Sequence, residues 1–224
     1  MTNRLSIDCI SDTHSKHSYF QLPEGDILIH AGDCTSTGQF PEALVFLDWF
    51  NKQSYRHRIL IAGNHDFIFE KQPEQMLEEC QKRHIHLLND SGVEIHGIKI
   101  WGSPITPWFE NWAFNRHRGD EIKAHWDLIP SDTEILITHG PCYGILDEVK
   151  ISRQWTRHVG CEELEKNIHA SQIKLHVFGH IHGARNVKTH AGKIFVNAAS
   201  LNDSYKPYRP GFTRLFKQNE RYVF

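Results

Sequence analysis

Arg58-Ile59-Leu60-Ile61-Ala62-Gly63-Asn64-His65-Asp66 is a short apolar run that stops on a glycine followed by polar side chains able to bind a ligand. Bounded by charge before and glycine after, such a run of Ile and Leu suits an interior sheet strand better than a helix. Gly63 is expected to let the chain turn sharply, so that Asn64, His65 and Asp66 stand together at the strand's C-terminal edge. Open α/β sheets place their ligands there. Taken alone, the turn fits an ordinary polar loop equally well. Four further apolar runs end in the same manner, however: Leu5 to Ser11 in Asp12-Thr13-His14, Ile27 to His30 in Ala31-Gly32-Asp33, Ile135 to Thr138 in His139-Gly140, and Leu175 to Phe178 in Gly179-His180-Ile181-His182. All of these strand ends converge on Asp, His and Asn.

Between the strands, Pro41 opens a helix whose buried face is either Leu44, Leu47 and Phe50 or Ala43, Phe46 and Trp49. Pro73 to Lys82 forms a second helix, with Met76, Leu77 and Cys80 at helical spacing. Strand, helix, strand is the pattern of a largely parallel sheet. The style then changes. Ile85 to Leu88, Val93 to Ile95 and Ile98 to Trp101, punctuated by Asn89-Asp90-Ser91-Gly92 and His96-Gly97, read as consecutive hairpin-linked strands and point to a second sheet. Asp120 to Leu128 and Cys161 to Ala170 read as helices, Lys193 to Ala199 and Phe212 to Phe216 as strands. With no internal repeat, low-complexity segment or linker, a single domain over residues 1–224 is expected.

Composition narrows the class. At 224 residues and 39% hydrophobic the chain has ample material for a core. Lys plus Arg number 25 against 27 for Asp plus Glu, so no global basic field drives binding to long nucleic acid or to an anionic membrane. Five cysteines, odd in number and never spaced Cys-x-x-Cys, argue against a disulfide framework and a thiolate zinc site. The N-terminus enters a strand pattern at once and no apolar run approaches the length of a membrane span, so a cytoplasmic location is expected. Oligomeric state is left open, a homodimer included. Thr106 to Arg116, with Trp108, Phe109, Trp112 and Phe114, is the most aromatic stretch; it reads as a flap over the site or as a loop plugging the core.

The strand ends supply Asp12, His14, Asp33, Asn64, His139, His180 and His182, a set of imidazoles, carboxylates and one carboxamide without a thiolate. That mixture suits Mn, Fe or Zn rather than Ca, with Mn favoured. The donors are too many for one transition ion that must also hold water, whereas two ions sharing a carboxylate accommodate them.

The ordered series Asp-x-His, Gly-Asp, Gly-Asn-His-Asp, His-Gly and Gly-His-x-His, spanning Asp12 to His182, resembles the calcineurin-like metallophosphoesterase superfamily. The resemblance implies an αββα sandwich of two mixed β-sheets flanked by helices, with a dinuclear site at the strand ends. It implies that Asp12, His14 and His182 hold one metal, that Asn64, His139 and His180 hold the other, and that Asp33 bridges them. It also places His65 outside the metal shell, against the phosphate or leaving oxygen, with Asp66 orienting its ring. The implied reaction is attack on phosphorus by a hydroxide held between the metals, with His65 protonating the leaving alkoxide. Pro107-Trp108-Phe109 and Trp112-Ala113-Phe114-Asn115, in a chain without an appended domain, are similar to the small metallophosphoesterase-domain-containing group. Members of that group are class III phosphodiesterases acting on diesters that include cyclic nucleotides. Some animal members carry Gly for one metal-binding His of the Gly-His-x-His motif; His180 and His182 are both present here, so full metal occupancy is expected. The small-molecule phosphoester could equally be a monoester, as for a phosphomonoesterase or protein phosphatase, since the same core serves both. A noncatalytic scaffold would require lost ligands. No two-arginine clamp for a doubly charged monoester is evident, although Arg116, Arg118 and Arg185 are within reach in sequence.

Overall fold

The computed structural model describes residues 4–152 and 154–224. Its first half contains β1 (Arg4–Ile10), β2 (Gly25–Ala31), α1 (Phe40–Asn51), β3 (Tyr55–Ile61), α2 (Phe67–Lys71), α3 (Pro73–Gln81) and β4 (Ile85–Leu87). β5 (Ser91–Ile95), β6 (Ile98–Ser103), β7 (Thr106–Pro107), β8 (Asn115–Arg116), α4 (Asp120–Trp126) and β9 (Ile135–Thr138) follow. The remainder is β10 (Glu148–Lys150), β11 (Thr156–His158), α5 (Glu162–Ala170), β12 (Leu175–Phe178), β13 (Asn186–His190), β14 (Lys193–Asn197), β15 (Thr213–Gln218) and β16 (Arg221–Val223).

Two six-stranded mixed sheets result, in the orders β16-β15-β1-β2-β3-β4 and β13-β14-β12-β9-β6-β5. β1 to β4 are mutually parallel, as are β6, β9, β12 and β14, and antiparallel strands lie at every edge except that of β4. Period-two alternation explains the layering. Ile7 and Cys9, Ile27 and Ile29, and Ile59 and Ile61 of the first sheet bury with Ile100, Ile135, Ile137, Leu175, Val177 and Val196 of the second. The intervening residues, Leu28 and Leu60 among them, bury instead with Phe46, Leu47 and Phe50 of α1. On the second sheet Leu136, Phe178 and Phe195 bury with Trp126 of α4 and Leu164 and Ile168 of α5. Helix, sheet, sheet, helix is therefore the order of layers.

Where the helices and strands depart from expectation, packing is the reason. α1 buries Ala43, Phe46, Leu47 and Phe50, a mixture of the two faces considered, because helix spacing of three and four selects residues from both. Leu77 of α3 is exposed while Met76 and Cys80 are buried. The run at Ile85 does not begin the meander. It closes the first sheet, parallel to β3 in the register Arg58↔Ile85, and Leu88 N–H still donates to the Leu60 carbonyl at 2.9 Å. The chain crosses to the second sheet only after that. No helix among the described residues is long and apolar enough to cross a membrane.

Candidate metal centre

The parallel strands of both sheets end along one rim, and each end delivers its turn there. Two glycines make the approach of these turns feasible. Gly63 acts by absence of bulk rather than by a left-handed turn: a Cβ there would lie 2.4 Å from Asp33 Oδ1 and 2.7 Å from the His139 ring. Gly32 combines a φ of +98° with a missing Cβ that would meet His139 Nδ1 at 2.4 Å. Several chemistry-bearing residues are themselves left-handed, with φ of 53° at Asp12, 40° at His14, 55° at Asp33 and 67° at His180. Non-glycine residues persist in that region only where the surroundings over-determine them.

The turns bring all seven predicted donors together. Asp12, His14 and His182 can share one ion, Asp33, His139 and His180 another, and His14, Asp33 and His65 form a third overlapping group. His14 Nε2 lies 3.3 Å from His182 Nε2, which is 3.4 Å from Asp12 Oδ1. His139 Nε2 lies 2.9 Å from Asn64 Oδ1 and 3.3 Å from Asp33 Oδ2, and Asp33 Oδ2 is 3.7 Å from His14 Nε2. Donors bound at about 2.1 Å in tetrahedral or octahedral geometry stand roughly 3–3.5 Å apart, so these spacings fit divalent ions. Hydrogen bonds behind the rings aim them. His139 Nδ1–H donates to the Ala31 carbonyl at 2.9 Å and His182 Nδ1–H to Asn202 O at 3.2 Å, leaving both Nε2 atoms toward the centre.

Charge completes the fit. Burial would raise Asp12 and Asp33, but His182 and His139 respectively hold them well below the usual carboxylate range. Burial likewise opposes the charge on His139, yet Asp33 raises it to about 9, and His182 reaches about 9 through its bond to Asp12. Burial and then His139 push His180 down to about 4, and burial lowers His14. A bound divalent cation would replace those protons as the counter-charge of two buried carboxylates.

Asp66 is a correction. Its buried carboxylate does not reach the His65 ring; it accepts Gly63 N–H at 2.8 Å, Cys34 N–H at 3.2 Å, Thr35 N–H at 2.9 Å and the Thr35 hydroxyl at 2.6 Å. Asp66 thus ties the Asp33 turn to the Asn64 turn. His65 is oriented otherwise: Nδ1–H donates to the Ser36 carbonyl at 3.0 Å, and the ring lies on Trp112 with centroids 4.2 Å apart. Asp66→Ala strands several buried donors and is expected to cost about 3 kcal/mol or more, or roughly 6–12 °C in thermal midpoint of metal-free protein. An unchanged midpoint would contradict the clamp.

The three arginines are also occupied elsewhere. Arg116 bonds His125 and the Asn115 carbonyl, Arg118 bonds Glu162 and the Gly160 and Val159 carbonyls, and Arg185 bonds the Ala199, Pro210 and Phe212 carbonyls. Among the described residues the cleft, of about 290 Å³, is lined by no arginine or lysine. The aromatic stretch divides: Phe109 and Trp112 line the cleft, Ala113 and Phe114 are core, and Trp108 is exposed beside His117. Tyr205, with φ of 55°, sets its ring edge-on to His14 at 5.0 Å and His182 at 5.3 Å. Sequence reasoning missed it because the Lys193 to Ala199 strand does not end directly on this turn, Ser200-Leu201 lying before Asn202-Asp203-Ser204-Tyr205; only the density of turn residues marked the segment. A separate apolar hollow of about 250 Å³, lined by Phe69, Pro73, Leu77 and Leu87, contains no histidine or aspartate.

Two mixed sheets delivering such a donor set at one rim define a metallophosphoesterase-type protein, and the Calcineurin-like phosphoesterase family profile matches residues 5–184. The chain belongs to that family. It is 39% identical to human Metallophosphoesterase domain-containing protein 1 over 90% of this chain and 68% of that protein, with the same values for the mouse protein. A UPF0046 protein of Caenorhabditis elegans is 32% identical over 90% of this chain and 71% of its own length. Among solved structures, TT1561 of Thermus thermophilus superposes with a TM-score of 0.58 at 12% identity, covering 87% of this chain and 89% of that one. A structure described as a novel archaeal phosphodiesterase gives 0.50 at 15% identity over 98% of both chains. The chain is accordingly a metal-binding phosphoric ester hydrolase by family.

Proposed function

We propose that this protein is a dinuclear-metal phosphodiesterase acting on cyclic nucleotides or similar diesters. Asp12, His14 and His182 would hold one ion, Asn64, His139 and His180 the other, with Asp33 available to both. The observation that carries this reading is the pair of donor groups meeting at Asp33, whose Oδ2 is near His139 and His14 alike. Bound Mn, Fe or Zn ions would supply Lewis acidity toward water and toward the phosphoryl oxygens. The chain's own residues do the rest. His65, anchored through Nδ1–H, keeps Nε2 available to carry a proton to the leaving alkoxide, and its backbone N–H donates to Asp33 Oδ1 at 2.8 Å, fixing the carboxylate.

A diester is favoured over a monoester because the described lining offers imidazoles, Asp33 and Asp203 but no fixed cation for a second phosphate charge. Metal-stripped protein reloaded with Mn and assayed on bis-(p-nitrophenyl) phosphate beside p-nitrophenyl phosphate tests this. Faster monoester turnover would overturn the diester assignment. The rim also supplies a base platform, since Phe109 and Trp112 line the cleft. A base stacked on an aromatic ring gains about 1–3 kcal/mol, so Trp112→Ala is expected to raise KM for a cyclic nucleotide roughly tenfold to a hundredfold. KM for a small aryl diester should change far less. Equal losses on both substrates, with a lowered thermal midpoint, would mean that Trp112 only supports the loop and His65.

A further inference from the structure

Two fully buried histidines stand outside the donor set: His30 on β2 and His176 on β12. Both face away from the opposite sheet, His30 packing on Phe46 with centroids 4.7 Å apart and His176 on Phe178 at 4.7 Å and Phe195 at 5.8 Å. Each touches one threonine hydroxyl, and each of those threonines adjoins predicted donors. His30 Nε2 is 3.1 Å from Thr13 Oγ1, between Asp12 and His14. His176 Nε2 is 2.8 Å from Thr138 Oγ1, directly before His139.

The neighbouring bonds fix the direction of both contacts. His30 Nδ1 accepts the Gly32 N–H at 3.3 Å, so the ring proton sits on Nε2 and is donated to Thr13. Thr138 donates its own hydroxyl proton to the Gly140 carbonyl at 2.7 Å, so its oxygen accepts from His176 Nε2–H. Among the described residues His176 Nδ1 is buried without a hydrogen-bond partner, a cost that an apolar ring of equal size would avoid. Burial pushes both histidines down to about 3, which keeps them neutral donors. The turns they reach need holding: Asp12, His14 and Ser15 around Thr13 are all left-handed, and the Thr138–Gly140 bond closes the turn that carries His139.

We infer that His30 and His176 are positioning residues for the metal centre, each clamping through a threonine hydroxyl one donor-bearing turn of one sheet, His30 for the ion at Asp12 and His14 and His176 for the ion at His139. The inference rests on the dinuclear reading above. It is tested by isothermal titration of chelator-stripped protein with Mn(II), with thermal midpoints of the metal-free proteins measured alongside. His30→Leu and His176→Leu are each expected to weaken one ion by roughly 10–100-fold, the usual scale for residues behind metal ligands. His30→Gln and His176→Gln, which keep an N–H near the Nε2 position, are expected to recover most of the affinity. Thr13→Val removes the acceptor with little change of shape and should reproduce the His30→Leu loss even where a Leu variant fails to fold; Thr138→Val removes both the acceptor and the bond to the Gly140 carbonyl and should lose at least as much as His176→Leu. Wild-type affinity in the Val variants, or equal loss in Gln and Leu, overturns the clamp and leaves the histidines as core filling. Wild-type protein that takes up no Mn(II) overturns the metal reading together with it, a result distinct from unaltered affinity in the variants.

Discussion

Asp33→Asn is expected to lower diester hydrolysis by about 10³-fold or more and to leave fewer than two ions per chain. In the proposed centre the carboxylate is the member shared by the two donor groups; its Oδ2 lies 3.3 Å from His139 Nε2 and 3.7 Å from His14 Nε2. An amide keeps the shape and can still accept the His65 N–H, now at 2.8 Å, so the backbone turn should survive. The charge does not survive, and several kcal/mol of charge stabilisation in the transition state corresponds to about 10³ in rate. Metal content by elemental analysis and kcat/KM on one diester decide the matter. Full occupancy with wild-type turnover would sink the sharing role. Chelation should abolish activity of the wild type and Mn should restore it.

His65→Ala should act differently, lowering kcat by roughly 10²-fold or more while metal content stays close to that of the wild type. His65 is the one histidine of the third donor group whose ring is held by a backbone carbonyl, Ser36 O, and by tilted packing against Trp112, at the rim of the cleft. A proton carried to the leaving oxygen matters for a poor leaving group and little for an activated aryl ester. The loss should therefore shrink as the leaving-group pKa falls. Loss of one ion per chain, or an equal rate loss across all leaving groups, would make His65 a ligand instead. Because Asp66 does not reach this ring, Asp66→Ala should lower stability first.

Much of this centre was legible in the chain because strand ends are local features. A run such as Ile59-Leu60-Ile61 followed by Gly63-Asn64-His65-Asp66 announces both a buried parallel strand and the polar turn that it must deliver at the sheet edge, and the same logic marked Asp12, His14, Asp33, His139, His180 and His182. Near-continuous apolar runs likewise announced strands buried on both faces, the switch to hairpin-linked strands pointed to a second sheet, and the helical covers on both sides were what the family resemblance implied. Element boundaries and the sheet assignment of Ile85 were less legible, since a three-residue strand carries almost no periodicity.

Contacts between distant turns were decided only by the tertiary structure. His180 N–H meets Asp12 across 168 residues of sequence, and no pattern within either turn encodes that distance. The role of Asp66 followed from where the Asp33 turn lies, since a carboxylate beside a histidine in sequence pairs with whichever donors surround it in space. Arg116, Arg118 and Arg185 were claimed by carbonyls and side chains outside the cleft, and Tyr205 entered it from a turn that lies beyond, not directly at, the end of the Lys193–Asn197 strand. The sequence by itself determined which side chains stand at the strand ends, because backbone periodicity and glycine placement act over a few residues. Tertiary structure decided which of them face one another, because side-chain direction and the packing of one sheet on the other act over the whole chain.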